Sequence, residues 1–179
     1  MTTFPPSDAS IFPRYVFKKV AHLITDNSLV VRVAFAQNIA LLAQTARRFL
    51  DVGHSVRLYE TVSGRQSLDA PSSNDKLAVV SETSGTTNSL DATTTMITST
   101  YDSDLAALHE VVFRWAVHIT TDTSDHSSQS KQALLRGLPR LCNFFGVEYS
   151  FQILPIILAF LNDRKDWQLR ATLCRHLPS

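Results

Sequence analysis

Apolar residues recur at helical intervals over 7–60 and again from 101 onward, and a long polar stretch separates the two regions. In the first region Ile11, Tyr15, Val16, Val20 and Leu23 follow each other at three- and four-residue steps, predicting an amphipathic helix. Ser7, Asp8 and Ser10 offer capping oxygens before it, and Pro13 falls where a first turn tolerates proline. Thr25-Asp26-Asn27-Ser28 breaks the period as a turn. A second helix is predicted from Leu29 to about Phe49, carrying Val30, Val33, Ala34, Ala40, Leu41 and Ala43. It is apolar around much of its circumference, which predicts a helix sandwiched between others.

The plan returns after the polar stretch. Leu105, Leu108, Val112, Trp115 and Ile119 mark one face of a helix over 105–119. Residues 120–128 (TTDTSDHSS) read as a turn, and Lys131–Phe145 as the paired helix, kinked at Pro139. Gly146 is placed to end it as a C-cap. Phe151–Leu161 predicts another helix, Asn162–Asp166 a turn, and Trp167 the start of a last helix. Phe144, Phe145, Trp115 and Trp167 are expected to pack between helices.

Between these regions, residues 61–100 hold 17 Ser/Thr in 40 positions and no aromatic residue, so they cannot anchor a core. A connection of that length exceeds the roughly 12–15 residues usual in a compact domain. A disordered, acidic insertion is expected. The chain thus divides into a helical repeat at 7–60, the insertion at 61–100, a second repeat at 101–149 and a shortened one at 150–179.

The three turns share a pattern. Asp26 stands six residues before Arg32, Asp125 six before Lys131, and Asp163 seven before Arg170. Lys131 and Arg170 are 39 residues apart, close to the roughly 40–47 of a HEAT repeat. Arg32 and Lys131 are 99 apart, one repeat plus the insertion. An acid in such a turn can cap the following helix and accept hydrogen bonds from a basic residue of its own or a neighbouring repeat. The fold class expected is all-α, a HEAT-type α-solenoid with a long insertion. In it Asp26, Arg32, Asp125, Lys131, Asp163 and Arg170 are structural markers.

Composition narrows the function. Hydrophobic residues make up 44%, enough for a packed core, and the formal net charge of +1 argues against a nucleic-acid coat. The charge is uneven: seven Lys/Arg against four acids over 1–60, three against nine over 61–130, and seven against three over 131–179. No uninterrupted apolar run reaches the roughly 18 residues of a membrane span. Two cysteines without a leader-like start point to a reducing, intracellular setting.

Catalytic chemistry finds no foothold. His22, His109 and His118, with Cys142 or Cys174, lack metal-ligand spacing, and both thiols are expected to be buried in the helical core. His109 and Glu110 are adjacent on a helix and point to different faces. No G-x-S-x-G turn is present. Lys18-Lys19 and Arg47-Arg48 read as solvated helix faces. No catalytic, cofactor or metal residue is expected.

Particular strings carry more than the repeat. FPPSDASIFPRYVFKKVAHLITDNSLVVRVAFAQNIALLAQTARRFL (4–50), YDSDLAALHEVV (101–112), RLCNFFG (140–146) and FLNDRKDWQLRA (160–171) resemble consecutive segments of one family. That family is the regulatory subunit of the class III phosphatidylinositol 3-kinase complex, a scaffold of vacuolar sorting and autophagy that bears a protein-kinase domain. The resemblance implies a scaffold segment between a kinase-like domain and a WD40 propeller. Its implied partners are the catalytic lipid kinase and a beclin-type subunit, with indirect association to endosomal and autophagic membranes from the cytoplasm. Kinase signatures (a Gly-rich loop, V-A-I-K, H-R-D, D-F-G) and an M-G start do not occur, so no kinase or lipidation residue carries over. A fragment of the solenoid, poorly soluble by itself, is the expectation. A HEAT adaptor of another class, such as a phosphatase scaffold or transport receptor, is the alternative.

Overall fold

A computed structural model describes residues 11–66, 87–124 and 126–176. Every regular element among them is helical. A π-helical turn (Phe12–Val16), α1 (Phe17–Val20) and a 3-10 turn (Ala21–Thr25) run into one another as one helical segment. Then come α2 (Leu29–Gln66), α3 (Thr87–Thr121), α4 (Ser127–Arg136), α5 (Leu138–Phe145), α6 (Ser150–Leu161) and α7 (Trp167–His176).

The helices stack as pairs. The first segment lies on α2; α2 packs on α3, α4 and α5; α3 packs on α6, α4 on α7, and α6 on α7. Three layers result: the first segment with α2, α3 with α4–α5, and α6 with α7. The seam between the first two is made of small residues. Ala36, Ala40, Ala43 and Ala46 recur at three- and four-residue steps on α2 and are all buried. They let α4–α5 come so close that a Cβ on Gly137 would sit 3.4 Å from that of Ala40. Large residues fill the rest. Phe17 and Phe35 meet the Trp115 ring edge-on at centroid distances of 5.1 and 5.3 Å, and Leu134, Leu135, Leu141, Phe144 and Phe145 complete the middle layer. This core explains how Leu29–Thr61, apolar enough by length and composition to cross a membrane, is accommodated: α3, α4 and α5 cover its seam.

Several expectations need correction. The helix expected at Lys131–Phe145 begins at Ser127 and is two helices, divided at Gly137. Pro139 starts α5 instead of kinking one long helix, because a missing N–H costs nothing in a first turn. The flanks of the expected insertion are helical: 61–66 prolong α2 and 87–100 open α3. Their hydroxyls turn back on the helix, with Thr61 bonding Arg57 O (2.7 Å), Thr98 bonding Thr94 O (2.9 Å) and Thr100 bonding Met96 O (2.8 Å). Such bonds satisfy the side chain without breaking the ladder. Residues 67–86, the expected caps Ser7, Asp8 and Ser10, and 177–179 lie outside the described residues. Cys142 and Cys174 are exposed, as is Trp167. Each cysteine sits beside a buried neighbour (Leu141, Leu173) that takes the inward position on its helix. Gly146 does end α5 in the left-handed region, at φ 69°.

Candidate functional site

The turns that join the paired helices gather most of the part-buried polar side chains. At the first, the Asp26 carboxylate accepts the Ser28 amide (2.8 Å) as a local turn, which leaves its backbone carbonyl outward. Arg32, one turn into α2, donates to that carbonyl at 2.6 Å and to Asn27 O at 3.3 Å. The third turn repeats this. Asp163 accepts the amides of Lys165 (3.1 Å) and Asp166 (3.2 Å), while Arg170 of α7 donates to the Asp163 carbonyl. In both turns the arginine reads the backbone of the aspartate and not its carboxylate.

The carboxylate of Asp163 serves a different layer. Lys131 of α4 donates to its Oδ2 at 2.9 Å, with both side chains nearly buried. Beside this pair Asp166 caps α7 by accepting the Leu169 amide (3.0 Å), and its second oxygen takes hydrogen bonds from Ser128 and from Gln132 (3.2 Å) of α4. Burial pushes both carboxyls up. For Asp163 the Lys131 hydrogen bond, the amides of Asp166 and Lys165 and the lysine charge outweigh it; for Asp166 the Ser128, Leu169, Gln132 and Gln168 donors do. Both are held below the usual carboxylate range. An open cleft of about 590 Å³ runs between the α3–α4 and α6–α7 turns, with Thr120, Ser124, Ser127, Lys131, Asp163 and Lys165 on its walls.

Of the six marker residues, then, Asp26 and Arg32 meet within one turn, Asp163 and Arg170 within another, and Lys131 joins Asp163 across layers. Asp125 lies outside the described residues. Asp166, Ser128 and Gln132 are additions that the spacing did not reveal. The only available signal was Asp166 standing three residues before Leu169, a capping position.

Two further contacts tie α2 to its neighbours. Arg47, read above as a solvated basic residue, donates to the Phe144 carbonyl at the end of α5 (2.6 Å). Tyr101 Oη donates to Asp51 Oδ1 (2.6 Å), and its ring lies 4.5 Å from that of His54. Burial first, then the Asp51 carboxylate, raise the phenol to about 12. His109 is enclosed by the rings of Phe144, Phe145 and Tyr149 at 4.3–5.3 Å. Neither of its nitrogens makes a well-formed hydrogen bond. Burial and the Arg47 charge lower it to about 4, against a small opposing pull from the Phe144 carbonyl. It is neutral at pH 7 and its ring is packing, not an acid–base group in an open site.

Among the described residues no three His, Cys, Asp or Glu side chains gather at metal-binding distance. The arrangement can pin helix pairs to one another; its carboxylates are committed to amides, hydroxyls and a lysine.

Residues 1–179 match the family described as PIK3R4-like, middle domain. Among curated proteins the chain is 31% identical over 98% of its length to the probable serine/threonine-protein kinase vps15 of Dictyostelium discoideum. It is 34% identical over 94% to serine/threonine-protein kinase VPS15 of Arabidopsis thaliana. It is 28% identical over 82% to serine/threonine-protein kinase vps15 of Schizosaccharomyces pombe. The matched region is 8, 10 and 7% of those three proteins, so the chain spans a tenth or less of each.

Proposed function

Because the chain belongs to the PIK3R4-like middle-domain family, the regulatory subunit of the class III phosphatidylinositol 3-kinase complex, we propose that it is a non-catalytic scaffold segment of that subunit. Its stacked pairs are read as HEAT-type repeats. They hold the parts of a longer protein at fixed spacing while the complex assembles with a catalytic lipid kinase and a beclin-type subunit. Endosomal sorting and autophagy are the processes such a complex serves, and contact with membranes is made through the complex.

One observation carries this reading: the part-buried carboxylates of the α6–α7 turn bind side chains of the preceding layer of the same chain. Lys131 to Asp163, Ser128 to Asp166 and Gln132 to Asp166 all join α4 to the α6–α7 turn. A scaffold needs that kind of connection, since each repeat contacts only its neighbours and rigidity is the sum of those interfaces. A reacting group would need a free nucleophile or base aimed at a cavity.

The test exchanges this chain for the matching region of the full-length Dictyostelium relative. The chimaera should retain the class III lipid-kinase catalytic subunit and the beclin-type subunit on affinity purification. A folded chimaera that retains neither contradicts the proposal, as does ATP turnover by the 179-residue chain.

A further inference from the structure

The uneven charge of the sequence becomes, in three dimensions, a difference between helices. Residues 29–50 of α2, together with α4, α5 and α7, contain eight Lys or Arg and no Asp or Glu. α3, the first helix of the middle pair, reverses this with four acids and one arginine. The positive charge therefore gathers on the second helices of the pairs.

Three contacts set α2 and α4–α5 in register. Gly137 lies against Ala40, Gln44 donates to the Arg140 carbonyl (3.4 Å), and Arg47 donates to the Phe144 carbonyl (2.6 Å). The two rows therefore run side by side in the same direction. Arg47 is turned into their seam, and its neighbour Arg48 is turned out of it, exposed on one stripe with Gln37 and Leu41. Arg136 and Arg140 stand four residues apart across Gly137, whose backbone stays helical, and both are exposed. None of these three arginines makes an ion pair among the described residues. Asp51, the first acid on α2 beyond this stretch, is taken by Tyr101 of α3.

Guanidinium groups bind carboxylates in a planar, two-pronged way that ammonium groups do not. Arg136 and Arg140 are separated by about 6 Å of helical rise, close to the roughly 6.6 Å between alternate residues of an extended chain. In the register above Leu41 lies level with the gap between them, half exposed. A polybasic membrane contact draws on about four to eight clustered cations, more than this face offers.

We propose that the outward face of α2 and α4–α5 docks an extended acidic protein segment. Alternate acids of that segment meet Arg136 and Arg140, a further acid meets Arg48, and an apolar residue covers Leu41. The surface follows from the helix register alone and needs no particular subunit, so it stands or falls apart from complex assembly.

The test measures anisotropy of a short fluorescein-labelled peptide alternating Glu with Leu and Ser, titrated with the 179-residue chain, beside the same peptide with Gln for every Glu. The Glu peptide should bind at least about tenfold more tightly. Arg48→Gln/Arg140→Gln should weaken it at least about fivefold. Lys18→Gln/Lys19→Gln, the same charge change at two exposed lysines of α1, should weaken it less than about twofold. Equal losses in the two double variants overturn the proposal, since the attraction is then one of net charge. Equal affinity for the two peptides overturns it as well. So does a wild-type chain that ignores the Glu peptide but sediments, through Arg48 and Arg140, with phosphatidylcholine vesicles holding about 30% phosphatidylserine; the occupant is then an anionic membrane.

Discussion

Lys131 on α4 and Asp163 in the α6–α7 turn, 32 residues apart in the chain, meet at 2.9 Å with side chains 10 and 14% exposed. Removing one member of a nearly buried pair leaves the other charge desolvated, which costs more than the pair contributes. Lys131→Met should therefore destabilise the chain by about 2–3 kcal/mol in urea melts. Glu110→Gln, which removes the exposed Glu110–Arg114 pair, should change stability by less than about 0.5 kcal/mol. Equal effects would mean that Lys131 is only a solvated lysine.

Acid should loosen the same junction. Asp163 and Asp166 are depressed in the folded chain, so their stabilisation is complete above the unfolded aspartate value of about 3.9. Below it the unfolded chain takes up protons that the folded chain refuses, and stability falls as pH drops through the folded values. Melts between pH 5 and 2 should show this decline, and Lys131→Met should flatten it. A wild-type limb no steeper than that of Lys131→Met would refute the assignment.

His109 acts in a separate window. Its folded value of about 4 lies below the ordinary 6.5, so between those values the unfolded chain binds a proton that the folded one does not. Stability declines as pH falls through that range, by about 3 kcal/mol at 1.36 kcal/mol per unit. His109→Phe, set in a cage of three aromatic rings, should abolish this slope. It should also stabilise the chain by about 1–2 kcal/mol at pH 7, since two unpaired ring nitrogens leave the interior. A variant less stable than wild type at pH 5 would show that the imidazole has a partner.

Gly146 ends α5 at φ 69° with open space around it. Gly146→Ala should cost about 1–2 kcal/mol, from the backbone alone. Gly146→Asn should cost as much, since a ψ of −175° lies outside the left-handed helical well that asparagine tolerates. Chemical melts of the two variants check this, and an asparagine variant clearly more stable than the alanine one would contradict it.

Helical periodicity located the layers, because Leu108, Val112, Trp115 and Ile119 face one way whatever covers them. It also read Gly146 correctly, where a single residue type answers a backbone need. It misjudged Trp167, Cys142 and Cys174, since a period gives a face and not what lies against it. The Ser/Thr-rich flanks were misread because composition does not count hydroxyls that fold back on their own helix. At the turns Asp26, Arg32, Asp163, Lys131 and Arg170 stood out by spacing. The division of labour between aspartate carbonyl and carboxylate did not, and neither did Asp166 with Ser128, partners 38 residues apart. Arg47 looked like a surface charge because its acceptor is a backbone carbonyl 97 residues away.

The most direct measurement of the scaffold claim is quantitative co-purification of the lipid-kinase catalytic subunit with the Dictyostelium chimaera carrying Lys131→Met or Glu110→Gln. The account predicts that Glu110→Gln retains the wild-type amount and that Lys131→Met, with its layers loosened, retains less than about a third, as a loss of roughly 1 kcal/mol or more implies. Full retention by Lys131→Met, in a chimaera whose melt confirms the loosened junction, would contradict it.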